Sequence, residues 1–267
     1  MIRRPAVAGQ FYPGAPEKLR AFLYEAVRPV SEPIRAVGVV APHAGYVYSG
    51  KVAGEVYGRV QVPGAVVLLG PNHTGLGTRA SVMARGAWAT PLGHIPIDED
   101  LADALSRSCP LLEEDSLAHA QEHSLEVQLP FLQYRNPGVR IVPVAFMLRG
   151  GNEVDEVGAG IAAALATWPE PVLLVASSDM THYEPHEQAK EKDAKAIEQV
   201  LRLDAQALLD TTKRHGISMC GVIPTAVMLV AARKLGARGG ELAAYATSGD
   251  ASGDYRSVVG YAGIVIR

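Results

Sequence analysis

Histidines that follow apolar, strand-like runs are the clearest candidates for chemistry in this sequence. His43 comes just after one such run and His73 just after a second. A third run leads into a loop that contains Asp179 and His182. In open α/β sheets, ligands bind beyond the carboxyl ends of the strands. The pattern therefore predicts that imidazoles from different strands meet in one pocket, where neutral imidazole is a common metal ligand.

Cys220 is the candidate that would complete a metal site with these histidines. It opens an apolar segment that we expect to be a helix, and a helix N-terminus favours the thiolate form of cysteine. The alternative is that Cys220 is a small buried hydrophobic residue, as most lone cysteines are. With His43 and His73 it would form a His2Cys set, which suits copper, iron or zinc and disfavours magnesium and calcium. Cys109 is expected to be structural.

Asp179 and His182 are expected to assist the metal ligands as catalytic residues. They lie three positions apart in the loop after the third apolar run. A carboxylate there can bind metal itself or orient a neighbouring histidine. We expect His182 to transfer protons or to orient a substrate, with Asp179 supporting it.

The segment His119-Ala120-Gln121-Glu122-His123 matches the H-x-x-E-H pattern of one class of zinc peptidases. On a helix, both histidines would share one face and the glutamate would be the general base. A match of three residues is frequent by chance, so this hypothesis is a remote one. The preferred interpretation is that Glu122 and His123 begin an amphipathic helix and line the pocket behind the metal ligands.

Strands and helices alternate along most of the chain, and these elements would position the candidate residues. The expected strands cover residues 36–41, 65–69, 141–146, 172–176, 242–248 and 258–266. The expected helices cover residues 16–27, 49–60 with Ser49 as cap, 98–106, 122–134, 152–167, 185–201, 204–212 and 220–235. This order predicts an α/β fold with a mixed or mainly parallel sheet and helices on both faces. No linker or repeat divides the sequence, so we expect a single domain over residues 1–267.

Composition limits the classes of partner. The net charge is −3 and no lysine- or arginine-rich run occurs, which gives no reason to expect nucleic acid or an anionic membrane surface. The longest run without a charged residue or histidine, residues 216–232, is shorter than the ~20 residues that span a bilayer and contains a proline. Two cysteines do not form a disulfide framework and the first residues lack a signal-peptide core, so a reducing, cytoplasmic location is expected.

Motifs of two common enzyme classes do not occur. The sequence has no G-x-x-x-x-G-K-[ST] phosphate-binding loop, no G-x-G-x-x-G after the first strand and no G-x-S-x-G nucleophile elbow. Nucleotide binding and serine hydrolysis are therefore disfavoured.

Five spaced motifs resemble those of the Memo family and occur in the same order. They are Pro42-His43-Ala44-Gly45-Tyr46, Gly70-Pro71-Asn72-His73, the run from Glu122 to Pro130, the run from Ser178 to Tyr183, and Cys220-Gly221. The resemblance covers essentially the whole chain. It implies a fold similar to that of class III extradiol dioxygenases, which use non-haem iron.

By this resemblance, His43, His73 and Cys220 match the metal-site residues of the family, and Asp179 and His182 match the other pocket positions. The cysteine stands where the dioxygenases have a carboxylate, and a thiolate favours copper(I) or a redox-active iron. Dioxygenase-like redox chemistry is one function implied. The alternative is an adaptor or metal carrier that binds a phosphopeptide, another small molecule or an ion. The bacterial and archaeal AmmeMemoRadiSam system also implies a functional link to a radical SAM protein.

Overall fold

The computed structural model describes residues 1–267 and contains twelve strands and nine α-helices. The strands are β1 (Ile2–Arg3), β2 (Gly38–Ala41), β3 (Ala65–Pro71), β4 (Ala80–Val82), β5 (Ala87–Thr90), β6 (Gly93–Pro96), β7 (Glu113–Glu114), β8 (Arg140–Phe146), β9 (Val172–Ser177), β10 (His182–Glu184), β11 (Gly240–Thr247) and β12 (Val258–Ile266). The helices are α1 (Pro16–Ala26), α2 (Tyr46–Arg59), α3 (Glu99–Ser108), α4 (Leu129–Arg135), α5 (Asn152–Ala166), α6 (His186–Leu201), α7 (Ala205–His215), α8 (Val222–Lys234) and α9 (Gly249–Ser252).

Nine of the strands form one mixed sheet. Its centre is four parallel strands in the order β2-β9-β3-β8. The antiparallel strands β12 and β4 flank this centre. Strands β10 and β11 pair with β12, and β7 pairs with β4. Strands β1, β5 and β6 form a separate three-stranded sheet.

Side chains of the central strand β3 alternate between two hydrophobic cores. Val66 and Leu68 pack with buried residues of α1, α2 and α4. Val67 and Leu69 pack with buried residues of α3, α5, α6, α7 and α8. Successive side chains of a strand point to opposite faces, so a strand covered on both faces is apolar throughout. The predicted α/β fold, with a mixed sheet and helices on both faces, is confirmed.

Helix α2 begins earlier than the sequence suggested. Its first residue is Tyr46, three positions before Ser49, and Gly45 is the N-cap. The Ser49 hydroxyl instead donates a hydrogen bond to the Ala44 carbonyl, at 2.9 Å, from inside the first turn. The prediction that Ser49 caps this helix is wrong.

The predicted helix over residues 122–134 is present only in its second half. Residues 122–125 are irregular, Glu126–Gln128 form one 3₁₀ turn, and α4 begins at Leu129. Pro130 lies in the first turn of α4. Backbone N–H groups in the first turn have no partner within the helix, so proline is tolerated there. The proline therefore starts a helix, and the segment before it is free to adopt a different backbone path.

None of the helices has both the length and the apolar character that crossing a bilayer requires.

Candidate metal centre

Three parallel strands deliver the candidate residues to one edge of the sheet. Strand β9 lies between β2 and β3, with Ala41 paired to Ser177 and Leu69 paired to Ala176. The carboxyl ends of all three strands therefore lie side by side. The loops that follow them contain His43, Asp179 and His73, so the predicted convergence of these strand ends occurs in the fold.

Three imidazoles meet at this edge. Nitrogen atoms of His43, His73 and His123 all lie within 4.8 Å of one another, a grouping that could hold a metal ion. The His73 and His123 rings are stacked at a centroid distance of 4.6 Å. The His43 ring meets both of them edge-on, at 5.3 and 5.5 Å. His123, which the sequence suggested would lie behind the ligands, is a full member of this cluster.

The buried carboxylate of Glu122 supports His73. It accepts hydrogen bonds from the His73 backbone N–H at 2.5 Å and from the His73 ring at Nδ1 at 2.8 Å. Burial alone would raise the pKa of Glu122, but the bonds from His73 and from the Ser124 N–H outweigh it and lower the pKa to about 2. A carboxylate only accepts, so Nδ1 of His73 carries a proton, and in the neutral ring the lone pair lies on Nε2.

His43 is almost completely buried. Burial, and then the neighbouring imidazoles of His73 and His123, hold its pKa well below the ordinary value of 6.5. Its Nδ1 lies 3.0 Å from the Ser177 hydroxyl, and its Nε2 lies 3.2 Å from the Cys220 sulfur. His43 is therefore neutral near pH 7, which is the state in which imidazole binds metal.

Cys220 reaches the site through a close approach of two backbones. A Cβ at Gly221 would lie 2.3 Å from the Ser177 carbonyl oxygen, so only glycine lets the start of α8 come this near the end of β9. The Cys220 sulfur accepts a hydrogen bond from the Asp179 N–H at 3.3 Å. Burial, and then the charge of Asp179, raise the pKa of Cys220. Without a cation, the helix start is therefore not enough to favour the thiolate at this buried position. A bound cation would favour it.

Asp179 has a different partner from the one expected. Its carboxylate accepts hydrogen bonds from the backbone N–H groups of His43, at 2.7 Å, and of Ala44. It therefore positions the loop after β2 and does not hydrogen-bond to the His182 ring. Burial raises the pKa of Asp179 to about 6, and these backbone bonds limit the rise.

His182 lies at the start of β10 and is only partly buried. Its backbone N–H donates to the Ser218 hydroxyl at 2.8 Å, and its Nδ1 lies 3.0 Å from the Ser218 carbonyl oxygen. A carbonyl only accepts, so Nδ1 carries a proton and Nε2 can accept one.

His119 does not take part in the site. It ends a 3₁₀ turn and is fully buried, with Nε2 3.1 Å from the Ser81 carbonyl oxygen. Its ring contacts Trp88 edge-on at 5.8 Å. The expectation that His119 and His123 share a helical face is wrong because no helix forms between them, and the zinc-peptidase arrangement is not assembled.

One cavity of about 690 Å³ joins the imidazole cluster to the two other pocket residues. His43, His73, His123, Asp179 and His182 all line it. Its other walls are mainly aromatic and include Phe11, Phe22, Tyr46, Tyr48, Tyr183 and Tyr261, and no lysine or arginine lines it. Cys220 is not among the lining residues, and its sulfur meets the cluster through His43. Sequence reasoning missed the aromatic wall, since these residues come from separate segments with no common motif.

The fold and this site define an α/β protein in which strand-end imidazoles form a group able to hold a metal ion. The family model described as Memo-like protein matches residues 3–265. The chain is 48% identical over 281 residues to a MEMO1 family protein of Methanopyrus kandleri, covering 100% of this chain and 99% of the relative. It is 44% identical over 268 residues to a MEMO1 family protein of Methanosarcina barkeri, covering 100% of both. The chain belongs to the Memo family, and the resemblance in its motifs is confirmed.

The fold also resembles a solved structure. An uncharacterized protein from Escherichia coli K12 matches with a TM-score of 0.53 at 15% identity, over 84% of this chain and 98% of that chain. At this identity the likeness concerns the fold alone.

Proposed function

We propose that this Memo family protein binds one transition metal ion at the edge of its sheet and uses it for redox chemistry. The observation that carries the proposal is the meeting of His43, His73 and His123 within 4.8 Å, with the Cys220 thiol in contact with His43. Imidazole and thiolate suit iron, copper or zinc, and the protein interior offers no oxygen-rich set of the kind that magnesium or calcium prefers at this point. Iron and copper are the candidates for redox activity.

The donor atoms fit such an ion. Glu122 holds Nδ1 of His73 and leaves Nε2 as the nitrogen that a metal ion would bind, as carboxylates do for many metal-binding histidines. The low pKa of His43 keeps that ring neutral. We assign His43, His73 and Cys220 as ligands, on the family pattern and on the 3.2 Å contact between the His43 Nε2 and the Cys220 sulfur.

A second ligand set has a specific observation in its favour. His123 has a nitrogen within 4.8 Å of those of His43 and His73, and unlike Cys220 it lines the cavity. A site of three imidazoles would use His123 in place of the thiolate. Both sets share His43 and His73 and differ only in the third ligand.

The remaining pocket residues have roles that follow from their hydrogen bonds. A bound iron or copper ion would supply one-electron chemistry. His182 accepts or returns a proton at Nε2, since its Nδ1–H is held by Ser218. Asp179 positions the loop that contains His43 by accepting a hydrogen bond from the His43 backbone N–H. The aromatic walls offer apolar surface against which a bound molecule could pack.

Metal analysis of anaerobically purified protein tests the assignment. We expect about one metal ion per chain in wild type and a loss of metal in His73→Ala and in Cys220→Ser, with His123→Ala retaining it. The matched control is His94→Ala, an exposed histidine in β6, which should bind metal as wild type does. Equal metal content in wild type and in a His73→Ala/Cys220→Ser double variant would overturn the proposal. Metal retained in Cys220→Ser but lost in His123→Ala would select the three-imidazole set.

Two further measurements separate redox activity from binding alone. Oxygen consumption with phenolic and thiol reductants asks whether the metal-loaded protein turns over, and a lack of turnover would favour a metal carrier.

Titration with a phosphotyrosine peptide asks whether the pocket is an adaptor site. We expect no phosphate-dependent binding, because no lysine or arginine lines the cavity. Binding that survives the loss of all metal ligands would favour the adaptor.

A further inference from the structure

His43 lies at the end of a buried chain of hydrogen bonds that the proposed reaction does not use. The chain runs from Tyr57 through Gln128 and Ser177 to the His43 ring, and all four residues are buried. We propose that Gln128 and Ser177 are positioning residues that fix the tautomer of His43, with the proton on Nδ1 and the lone pair on Nε2. The use of that lone pair for metal rests on the proposed function, whereas the tautomer itself does not.

The orientation of the Gln128 amide follows from its partners. One end of the amide lies 2.9 Å from the Pro42 carbonyl oxygen, which can only accept a hydrogen bond. That end must therefore be the NH2 group. The other end, Oε1, accepts a hydrogen bond from the Tyr57 hydroxyl at 2.9 Å. A flipped amide would place its oxygen against the Pro42 oxygen in a buried site, where unpaired acceptors are costly.

The Ser177 hydroxyl then has only one arrangement. Its oxygen lies 2.6 Å from the Ser124 carbonyl oxygen, and a hydroxyl has a single proton, so that proton is donated to Ser124. The same oxygen accepts from the Gln128 amide at 2.8 Å. The third contact, with Nδ1 of His43 at 3.0 Å, must therefore be donated by the ring. His43 carries its proton on Nδ1, and Nε2 has a lone pair 3.2 Å from the Cys220 sulfur.

His43 and His73, which both ligand sets share, thus have Nδ1 held by different kinds of hydrogen-bond acceptor. The carboxylate of Glu122 acts on His73, and a neutral hydroxyl acts on His43. The neutral hydroxyl adds no negative charge to a buried site that already contains the Asp179 carboxylate. Since Ser177 and Gln128 have no solvent exposure, water does not compete for their hydrogen bonds.

Nitrogen-15 NMR of the histidine side chains in chelator-treated protein tests this inference directly. Signals of protonated and unprotonated ring nitrogens are well separated, and a His43→Gln variant identifies those of His43. In wild type we expect Nδ1 protonated and Nε2 unprotonated. In Ser177→Ala we expect the two signals to move toward each other as the tautomers mix. Ser177→Thr, which restores the hydroxyl, should restore the wild-type pattern.

A second variant covers the case in which Ser177→Ala does not fold. Gln128→Met keeps a similar volume but removes the amide donor that helps to hold the Ser177 oxygen against the His43 ring, so the His43 tautomers should mix in part. Metal affinity, measured by competition with a chelator, should fall about 10–100-fold in Ser177→Ala and recover in Ser177→Thr. A proton on Nε2 in wild type, or an unchanged tautomer in both Ser177→Ala and Gln128→Met, would overturn the inference. The expected tautomer in a protein that binds no metal would support the inference and overturn the proposed function.

Discussion

The ends and the centre of one short segment have different environments. Residues 119–126 contain His119 and Glu126 at the ends and the pair Glu122 and His123 between them. The end residues are enclosed by other protein groups, whereas the central pair reaches the imidazole cluster and the cavity. The same residue types, a few positions apart, stabilise the fold at the ends of the segment and belong to the candidate site at its centre.

Glu126 shows the structural case. It is fully buried and forms an ion pair with Arg3, and it also accepts hydrogen bonds from the N–H groups of Ala6 and Val7 and from the Tyr12 hydroxyl. Arg3 in turn donates to the carbonyl oxygens of the segment, and its guanidinium lies 4.1 Å from the centre of a Trp88 ring. All partners of this carboxylate are permanent donors, so it fastens the N-terminal residues to the segment.

Glu122 is equally buried, but it has no lysine or arginine partner. Its hydrogen bonds come from the backbone and ring of His73 and from the backbone of Ser124. The side chain of His73 is 34% exposed, and an imidazole can lose its proton or bind a metal. A buried carboxylate that is paired with a permanent cation stabilises the fold. One that is paired with an accessible imidazole orients a histidine that can bind a metal ion.

The largest effect should come from removing the fixed cation. Arg3→Met leaves Glu126 buried without its ion pair, and we expect the free energy of unfolding to fall by about 3–5 kcal/mol. Urea unfolding of the variant and wild type measures this loss. Arg4→Met, at the exposed neighbouring position, is the matched control and should stay within about 0.5 kcal/mol of wild type. Equal stability of the two variants would show that the Arg3–Glu126 pair does not fasten the segment.

Lowering the pH should destabilise the folded protein through protonation of His119 at the structural end of the segment. Burial lowers the pKa of His119 from 6.5 to about 4, with the hydrogen bond to Ser81 opposing the shift. Above pH 6.5 the ring is neutral in both states and contributes nothing. Between pH 6.5 and pH 4 the unfolded chain takes up a proton that the folded chain excludes, so stability falls as the pH falls, by about 3 kcal/mol in total.

Unfolding of metal-free protein at several pH values between 4 and 7 checks this dependence. His119→Gln should lose that part of the pH dependence. His94→Gln, at an exposed position, should keep it. A pH profile of His119→Gln that parallels wild type would show that His119 titrates normally in the folded protein.

Removing the charge of Glu122 should affect metal binding more than folding. Glu122→Gln keeps the size of the side chain but weakens its hold on the His73 ring, and we expect metal affinity to fall about 10–100-fold, or about 1.4–2.7 kcal/mol. Competition with a chelator measures the affinity. Glu114→Gln, on the exposed strand β7, should bind metal as wild type does. Unchanged metal affinity in Glu122→Gln would show that Glu122, like Glu126, has only a structural role.

The smallest effect should come from one neutral donor to Glu126. Tyr12→Phe removes a single hydrogen bond and leaves the ion pair with Arg3 and the two backbone donors in place. We expect a loss of about 1 kcal/mol in the free energy of unfolding. Tyr24→Phe, at a position that is 76% exposed, is the control and should not change stability. A loss as large as that of Arg3→Met would mean that the cation is not the dominant partner of Glu126.

Much of the scaffold could be predicted from short-range pattern. The last strand has the predicted bounds, Val258–Ile266, and the long helix α5 ends one residue before the predicted position. The positions of His43 and His73 just after strand ends also predicted correctly that their side chains are neighbours in space. Local periodicity predicts these elements correctly because the apolar runs become buried strands and helices, which is the environment that their composition favours.

The sequence by itself determined the family, the α/β architecture and the strand-end residues that converge. Only the tertiary structure decided that His123 joins the imidazole cluster while His119 is buried beside Trp88, because the expected helix over these residues does not form. It likewise decided that Asp179 holds the backbone of His43 and that Ser177, 134 positions away, contacts the His43 ring. Such contacts depend on chain segments that meet only when the sheet is assembled, so neither the spacing nor the type of these residues could predict them.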